Sequence, residues 1–295
     1  MRPRHLALAI GVVVIWGLAF VATRVALDDF SPPLLTALRF LIAALPAALL
    51  PRPRVGARDL VLVGTFLFTG QFLFQFFGIA AGTPPGLASV VVQTQALFTI
   101  LFSALALHER PSSRQWTGGA LALAGLALVA VTVGGDLTVA GLGLCAASAV
   151  SWGVGNVLVK RLPSADLLGS MVWMSLVPPL PALVVAVWLD GLDGIGRAIL
   201  AASWRGLGSV LYLGLVATIV GYAIWSRLLR RYPAATVAPF ALLVPFVAAG
   251  GSSIAFGERF GPLRLAGMAL VLLGLAVIVI SRPRRWVTDP AAPSR

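Results

Sequence analysis

Long apolar runs, separated by short clusters of basic residues, dominate this chain. Marking each stretch of about 17 to 25 mostly apolar residues bounded by proline, glycine or charge predicts ten spans that are long enough to cross a bilayer. The runs lack the alternation of apolar and polar residues that a transmembrane barrel requires, so we expect helices and an all-α integral membrane protein. The predicted spans are 6–27, 34–50, 60–82, 86–107, 115–134, 138–158, 167–189, 207–229, 234–255 and 262–281.

The composition agrees with a chain that resides in a membrane. Hydrophobic residues make up 59% of it and the mean hydropathy is +0.97, whereas an ordinary soluble domain has roughly 45 to 50% apolar residues. The basic start MRPRH is typical of a signal peptide, but the apolar run of about 22 residues behind it is too long for one and predicts a retained first helix. The single cysteine, Cys145, cannot form an intramolecular disulfide and predicts no redox chemistry.

The charges follow the positive-inside rule. The chain has 22 Lys and Arg against 10 Asp and Glu, a net charge of +12. With the N-terminus in the cytoplasm, the whole excess falls on the cytoplasmic side, and six basic residues face six acids on the other side. We therefore expect both termini in the cytoplasm and no nucleic-acid partner.

The two halves of the chain share a residue pattern. Residues 108–125 align with residues 257–274 at an offset of 149, whereas WGLAFVATR and WGVGNVLVK align at an offset of 136. The difference between the two offsets is attributed to a longer loop predicted near Asp190 to Arg205. The residues matched at the offset of 149 are Thr69 and Thr218, Glu109 and Glu258, Arg110 and Arg259, Gly118 and Gly267, and Gly125 and Gly274.

Five spans in each half is an odd number, so the second half must enter the membrane from the opposite side. The sequence thus predicts two inverted five-helix repeats, residues 1–135 and 136–282, and a cytoplasmic tail, residues 283–295. Inverted halves related by a two-fold axis in the membrane plane are a recurrent plan of secondary transporters, which place the substrate site near the midplane.

These motifs resemble the drug/metabolite transporter superfamily, and within it the EamA family, over nearly the whole chain. The likeness rests on WGLAFVATRVALDDFSPPLLTALRF and on GLASVVVQTQALFTI followed by HERP in the first half, and on SWGVGN, YLGLVATIVGYAIW and VAPFALLVP followed by GERF in the second. The nearest likeness is to the O-acetylserine/cysteine exporter group, which shares Gly70-Gln71-Phe72, Gln93, Gln95, Trp152, Asn156 and Thr218 to Tyr222.

The resemblance implies a bacterial inner-membrane exporter that moves a small polar metabolite by alternating access. The substrate it implies is an amino acid of the cysteine or O-acetylserine class. An exporter of other metabolites, such as aromatic amino acids or nucleobases, and a non-transporting membrane protein are the alternatives.

Polar side chains near the middle of the spans are the candidate substrate site. At 1.5 Å per residue, Gln71, Gln95 and Thr218 lie roughly 13 to 17 Å deep in a hydrocarbon core of about 30 Å. An amide facing lipid would leave its donors and acceptors unpaired, so we expect these side chains to face a cavity or, alternatively, to bond neighbouring helices. The candidate substrate-binding residues are Trp16, Gln71, Gln95, Trp152, Asn156, Thr218 and Tyr222.

Two triplets of residues recur at a spacing of four and so share a helical face. Each ends in a basic residue, Arg24 or Lys160, which we expect to reach the lipid headgroups from the helix end. The two tryptophans lie deeper than an aromatic belt, so they either line a cavity or pack in the core. The triplets are Trp16, Phe20 and Arg24, and Trp152, Asn156 and Lys160.

Other features predict packing and bending. Pro245 and the run Val177–Pro181 are expected to interrupt their helices near the midplane, as gating hinges or as static bends. The matched glycines of the two halves predict close helix packing or a dimer seam. Arg39 lies about five residues inside its predicted span and is expected to pair with Asp28 or Asp29.

Acidic and histidine residues are confined to the membrane edges. No Asp or Glu lies deep in a predicted span, and His5 and His108 fall at span ends. No proton relay, metal site or acid–base pair can be assembled from such residues inside the bilayer. We therefore predict a protein that is not an enzyme and holds no metal or cofactor. Its expected partners are a small-molecule substrate, the lipid bilayer and, through the glycines, a second copy of the chain.

Overall fold

The computed structural model describes residues 1–162 and 167–280 of the 295-residue chain. These residues form helices and, within the described part, a single antiparallel bridge between Gly134 and Leu137, so the predicted all-α fold class is confirmed for them. The predicted tail 283–295 lies outside the described residues. The helices are α1 (Pro3–Ala26), α2 (Pro32–Ala48), α3 (Ala57–Ala80), α4 (Pro85–Leu107), α5 (Ser113–Ala130), α6 (Val139–Lys160), α7 (Gly169–Leu200), α8 (Trp204–Arg231), α9 (Thr236–Phe256) and α10 (Pro262–Val279).

Eight of the described helices are long and apolar enough to cross a membrane. The predicted spans 34–50 and 115–134 correspond to α2 and α5, which fall outside that set. α2 is short and ends in a 3-10 turn over Leu45–Ala48 that contains a proline, and α5 begins with the polar residues Ser113, Arg114 and Gln115. The count of ten crossings therefore stays a prediction.

α7 is broken twice. One helix ends at Met174 and the next begins at Pro179, so the predicted interruption around Val177–Pro181 is confirmed. A second break lies at Gly191, which has φ 69° and ψ 165°. The predicted loop from Asp190 to Arg205 is wrong over most of its length, because the chain is helical again from the break at Gly191 up to Leu200. The break falls at a glycine because other residues adopt a positive φ only at an energetic cost.

α3 and α8 each contain a stretch of π-helix, Thr65–Gly70 and Tyr212–Val220. In each stretch a threonine hydroxyl donates to the carbonyl oxygen five residues earlier, Thr69 at 3.3 Å and Thr218 at 2.8 Å. π-Helical turns are rare and often mark functional sites. The two threonines are 149 residues apart, so the same distortion recurs at matched positions of the two halves.

α4 and α9 are also interrupted at matched positions. α4 breaks at Thr94, and α9 breaks at Leu242 and Leu243. Leu243 lies 149 residues after Thr94. Pro245 follows the α9 break directly, within the first two residues of the new helix, so the predicted interruption there is confirmed.

α5 and α10 pack in opposite directions through the four matched glycines. Gly118 lies against Gly274, and Gly125 lies against Gly267. A Cβ atom on Gly274 would lie 2.5 Å from the carbonyl oxygen of Gly118. The predicted close helix packing is therefore found within one chain, and these glycines need no dimer seam.

We expect Gly274→Ala to destabilise the protein by about 1 to 3 kcal/mol, because the added methyl group must displace the backbone of α5. Gly143→Ala on α6 is the matched control, since a Cβ atom at Gly143 meets nothing within 4 Å and alanine favours a helix. Thermal unfolding of both purified variants in detergent measures the difference. Equal melting temperatures would contradict the close approach of α5 and α10.

Candidate functional site

An aromatic group joins α1 to α8 in the interior of the bundle. Trp16 donates its indole N–H to the carbonyl oxygen of Ala217 at 3.0 Å. The Trp16 ring centre lies 5.6 Å from that of Tyr222 and 5.1 Å from that of Trp225. Gly221 allows this approach, because a Cβ atom there would lie 2.6 Å from the indole nitrogen. Two predicted site residues, Trp16 and Tyr222, are thus neighbours.

Arg39 lies in the same region, against expectation. It is buried, with 4% of the residue exposed, and its Nε atom donates to the hydroxyl oxygen of Thr218 at 3.2 Å. Its guanidinium carbon lies 4.0 Å from the centre of the Phe72 ring. The predicted ion pair with Asp28 or Asp29 is therefore wrong.

Both aspartates bind elsewhere, at the end of the bundle. Asp28 pairs with Arg24, and Asp29 accepts hydrogen bonds from the backbone N–H and the hydroxyl of Ser203 at 3.2 and 2.6 Å. α2 begins at Pro32, two residues before the predicted start of the span, so Arg39 lies deeper than expected. A basic residue within the apolar run TALRFLIAA could have indicated from the sequence that Arg39 lies inside the bundle.

A hydrogen-bond network joins α4 to α6. Asn156 donates from Nδ2 to the side-chain oxygen of Gln95 at 2.7 Å and to the hydroxyl oxygen of Thr99 at 3.0 Å. The Thr99 hydroxyl in turn donates to the backbone carbonyl oxygen of Gln95 at 2.7 Å. The structure thus brings together the predicted residues Gln95 and Asn156, and it adds Thr99, which the sequence did not single out.

The remaining predicted residues lie apart from that network. Gln71 is 3% exposed and donates to Gln75 at 3.0 Å, along the same face of α3. In the described part of the chain Gln71 forms no hydrogen bond to Gln95, so the two midplane glutamines are not joined. Trp152 is half-buried and packs on the core that contains Phe68 and Phe72.

Gln93 ties the two broken helices together. Its side-chain nitrogen donates to the backbone carbonyl oxygen of Ala241 at 2.7 Å, directly before the break in α9. A helix break releases backbone groups that only the protein or water can satisfy inside a membrane. Gln93 therefore stabilises the break in α9 from the side of α4.

At one end of the bundle, Lys160 at the end of α6 donates hydrogen bonds to the Glu109 carboxylate and to the Ser103 hydroxyl, each at 2.9 Å. Arg24, its counterpart in the first triplet, pairs with Asp28. The side chains of Lys160 and Arg24 are each 42% exposed. Both basic residues therefore lie at helix ends, where each has a carboxylate partner.

The other end is held by Glu258, 149 residues after Glu109. The backbone N–H of Gly86 donates to the Ser252 hydroxyl at 3.1 Å and to the Glu258 carboxylate at 3.4 Å. Burial raises the pKa of the Glu258 carboxyl above its ordinary value, although hydrogen bonds to this carboxyl from the Ser252 side chain and the Gly86 backbone oppose the shift. Gly86 has no side chain, which lets α4 approach α9 here, because a Cβ atom would lie 2.8 Å from the Cα atom of Ala249.

The described residues place no group of three or more His, Cys, Asp or Glu side chains where it could hold a metal ion. These residues offer amides and hydroxyls for hydrogen bonding, aromatic faces and the buried guanidinium of Arg39 in the interior. A second buried arginine, Arg264, pairs with Asp136.

Comparison with known proteins assigns this architecture. A family model described as the EamA-like transporter family matches residues 4–131 and 139–280, which together make up most of the chain. The chain belongs to the EamA-like transporter family. It is therefore a multi-pass membrane protein of a transporter family rather than an enzyme family, and the expected membership of the drug/metabolite transporter superfamily is confirmed.

Relatives with similar sequences agree. The EamA-like chain is 40% identical over 286 residues to a protein of Salmonella typhimurium described as "Probable amino-acid metabolite efflux pump", covering 94% of this chain and 96% of the relative. A protein of Escherichia coli with the same description is 37% identical and is covered over 97% of each chain. A "Probable terminal-alkyne amino-acid exporter" of Streptantibioticus cattleyicolor is 30% identical over 90% of each chain.

A solved crystal structure has a similar fold. It matches 94% of the EamA-like chain and 96% of its own, with a TM-score of 0.62 and 21% sequence identity. At that identity the likeness concerns the fold alone.

We expect Gln95→Leu and Asn156→Leu each to lower the free energy of unfolding by about 0.6 to 2 kcal/mol, because each removes an interhelical hydrogen bond. The double variant should lose less than the sum of the two, since both substitutions break the same bond. Unfolding of the four proteins in detergent measures this coupling, and strictly additive losses would mean that the two side chains do not interact. A loss of substrate affinity of about five- to 150-fold in Gln95→Leu would assign this residue a binding role as well.

Proposed function

We propose that this chain is a secondary transporter that exports an amino-acid-like metabolite by alternating access. The observation that carries the proposal is the likeness, over almost the whole of both chains, to relatives described as amino-acid metabolite efflux pumps. The interior supports it, because its amides and hydroxyls can bond to a zwitterion, whereas no described carboxylate lies there as a counter-ion for a strongly cationic solute. The cysteine and O-acetylserine class is the first candidate, and aromatic amino acids or nucleobases are the second.

The proposed substrate path runs between the two polar regions described above. On one side lie the Arg39–Thr218 contact and the aromatic group of α1 and α8, and on the other lies the network of α4 and α6. Trp152 and the buried amides of α3 would flank the proposed path. The residues proposed to line the path are Trp16, Gln71, Gln95, Trp152, Asn156, Thr218 and Tyr222.

We further propose that residues 1–135 and 136–282 are inverted repeats. The family model supports this division, because it matches one segment in each half. The π-helical stretches and the breaks of α4 and α9 support it by recurring 149 residues apart. The contact of α5 with α10 is reciprocal and antiparallel, as expected for equivalent helices related by a two-fold axis in the membrane plane.

The end contacts support a route for alternating access. In this conformation Glu258 accepts a hydrogen bond from the backbone N–H of Gly86, while its counterpart Glu109 accepts from Lys160. In the opposite conformation of the transport cycle, in which the two halves exchange their roles, Glu109 would accept a hydrogen bond from the backbone N–H of residue 235. Residue 235 matches Gly86 at the offset of 149. The charge balance supports a location of the Gly86 contact at the outer end and of both termini in the cytoplasm. The bacterial relatives support a location in the inner membrane.

Counterflow into proteoliposomes tests the proposed function. We expect the purified protein to exchange labelled cysteine or O-acetylserine saturably, with unlabelled members of an amino-acid panel competing. Protein-free liposomes are the control. Selective competition by aromatic amino acids or nucleobases would favour the second candidate, whereas equal uptake with and without the protein across the panel would contradict transport and favour a non-transporting membrane protein.

A further inference from the structure

Arg39 carries a charge into the middle of the bundle. It lies seven residues after the first residue of α2, Pro32, which is about 10 Å along the helix. Only 4% of the residue is exposed. A buried charge is costly unless it is paired, and ionisable residues inside membrane spans mark the paths of substrates or ions. We therefore expect the Arg39 guanidinium to bind an anionic group.

The described residues use only part of what the guanidinium can bind. Of its five N–H donors, the one on Nε bonds to Thr218 at 3.2 Å, and the Phe72 ring covers the group at 4.0 Å. No described carboxylate lies within ion-pair distance of Arg39, and its two Nη groups donate to no described residue. The ion pairs in the described part of the chain are Arg24 with Asp28, Lys160 with Glu109, and Arg264 with Asp136.

Thr218 holds this guanidinium from the second half of the chain. The Thr218 hydroxyl donates its hydrogen to the carbonyl oxygen of Leu213 at 2.8 Å, within the π-helical stretch of α8. Its oxygen is therefore left to accept the hydrogen bond from Nε of Arg39. With Nε engaged, the fork formed by the two Nη groups remains for a planar anion, which guanidinium groups bind in a bidentate manner.

Aromatic faces lie beside this fork. Tyr222 follows Thr218 by four residues on α8, which places the two side chains on a similar face. The Tyr222 ring centre lies 6.2 Å from that of Phe68, which in turn lies 6.5 Å from that of Phe72, the ring that covers Arg39. The Tyr222 ring centre also lies 5.6 Å from that of Trp16. Aromatic faces attract ammonium groups, so a group that binds anions and a surface that binds cations are neighbours here.

We propose that Arg39 binds the carboxylate of the transported amino acid, while the ammonium group of the same molecule lies over the faces of Tyr222 and Trp16. This assignment rests on the proposed function and narrows it. The substrate must present a free carboxylate next to an amino group, so α-amino acids are bound in preference to their esters, to decarboxylated amines and to nucleobases.

The test compares a free acid with its ester. The probes are L-cysteine, or the amino acid that the counterflow panel selects, and the corresponding methyl ester, with binding followed by tryptophan fluorescence of the purified protein. The variants are Arg39→Gln, which removes the charge, and Arg39→Lys, which keeps the charge but loses the fork. Arg197→Gln is the matched control, because Arg197 is exposed and bonds only to the carbonyl oxygen of Asp193 in the described structure.

We expect wild type and Arg197→Gln to bind the acid roughly tenfold to 150-fold more tightly than the ester. Arg39→Gln should bind the acid as weakly as the ester and leave ester binding unchanged, and Arg39→Lys should fall between. If Arg39→Gln does not fold, a selective loss of acid binding in Arg39→Lys carries the same conclusion.

Equal binding of acid and ester by wild type, or an equal loss of both in the Arg39 variants, would overturn the inference and leave Arg39 a structural residue only. Either result is compatible with amino-acid export. The absence of saturable counterflow in wild type for every amino acid would instead contradict the proposed function, and the inference with it.

Discussion

Inside a bilayer, a polar group has to find its partner within the protein, and this constraint organises the described bundle. Where the backbone departs from an α-helix, a nearby side chain supplies the partner. The threonine hydroxyls of the π-helical stretches donate back to carbonyl groups, and Gln93 reaches across to the last carbonyl before the α9 break. The bends are therefore part of a satisfied polar interior, in which helices can be interrupted near the middle of the membrane.

The two halves repeat the backbone plan but differ in chemistry. Gln93 and Gln95 in the first half correspond to Leu242 and Val244 in the second, 149 residues later. The amides of Gln93 and Gln95 thus lie on α4, next to Asn156 of α6. The guanidinium of Arg39 bonds Thr218 where α2 meets α8, and the aromatic rings lie between α1 and α8. The proposed site would therefore have a lining that differs between the two halves, which would allow a substrate charged differently at its two ends to bind in one orientation.

The apolar runs of the sequence predicted most of the helices, because helix positions depend on local composition. The breaks at Val177–Pro181 and Pro245 followed from proline chemistry, whereas the π-helical stretches at the matched threonines were not predicted. The site was harder to predict, since partners depend on tertiary packing. Arg39 was expected nearer the membrane edge, because α2 begins two residues earlier than predicted. Gln71 bonds to Gln75 rather than to a neighbouring helix, and this depends on the rotation of α3 about its axis, which the sequence does not determine.

The inverted arrangement of the halves is the central claim, since a midplane site with two alternating entrances depends on it. It is tested most directly by single cysteines at two matched positions, Arg110→Cys and Arg259→Cys, in a protein whose only native cysteine, Cys145, is replaced by alanine. A membrane-impermeant thiol reagent should label position 110 only from the cytoplasm and position 259 only from outside. Labelling of both positions from the same side would contradict the inverted repeat and the proposed site between its halves.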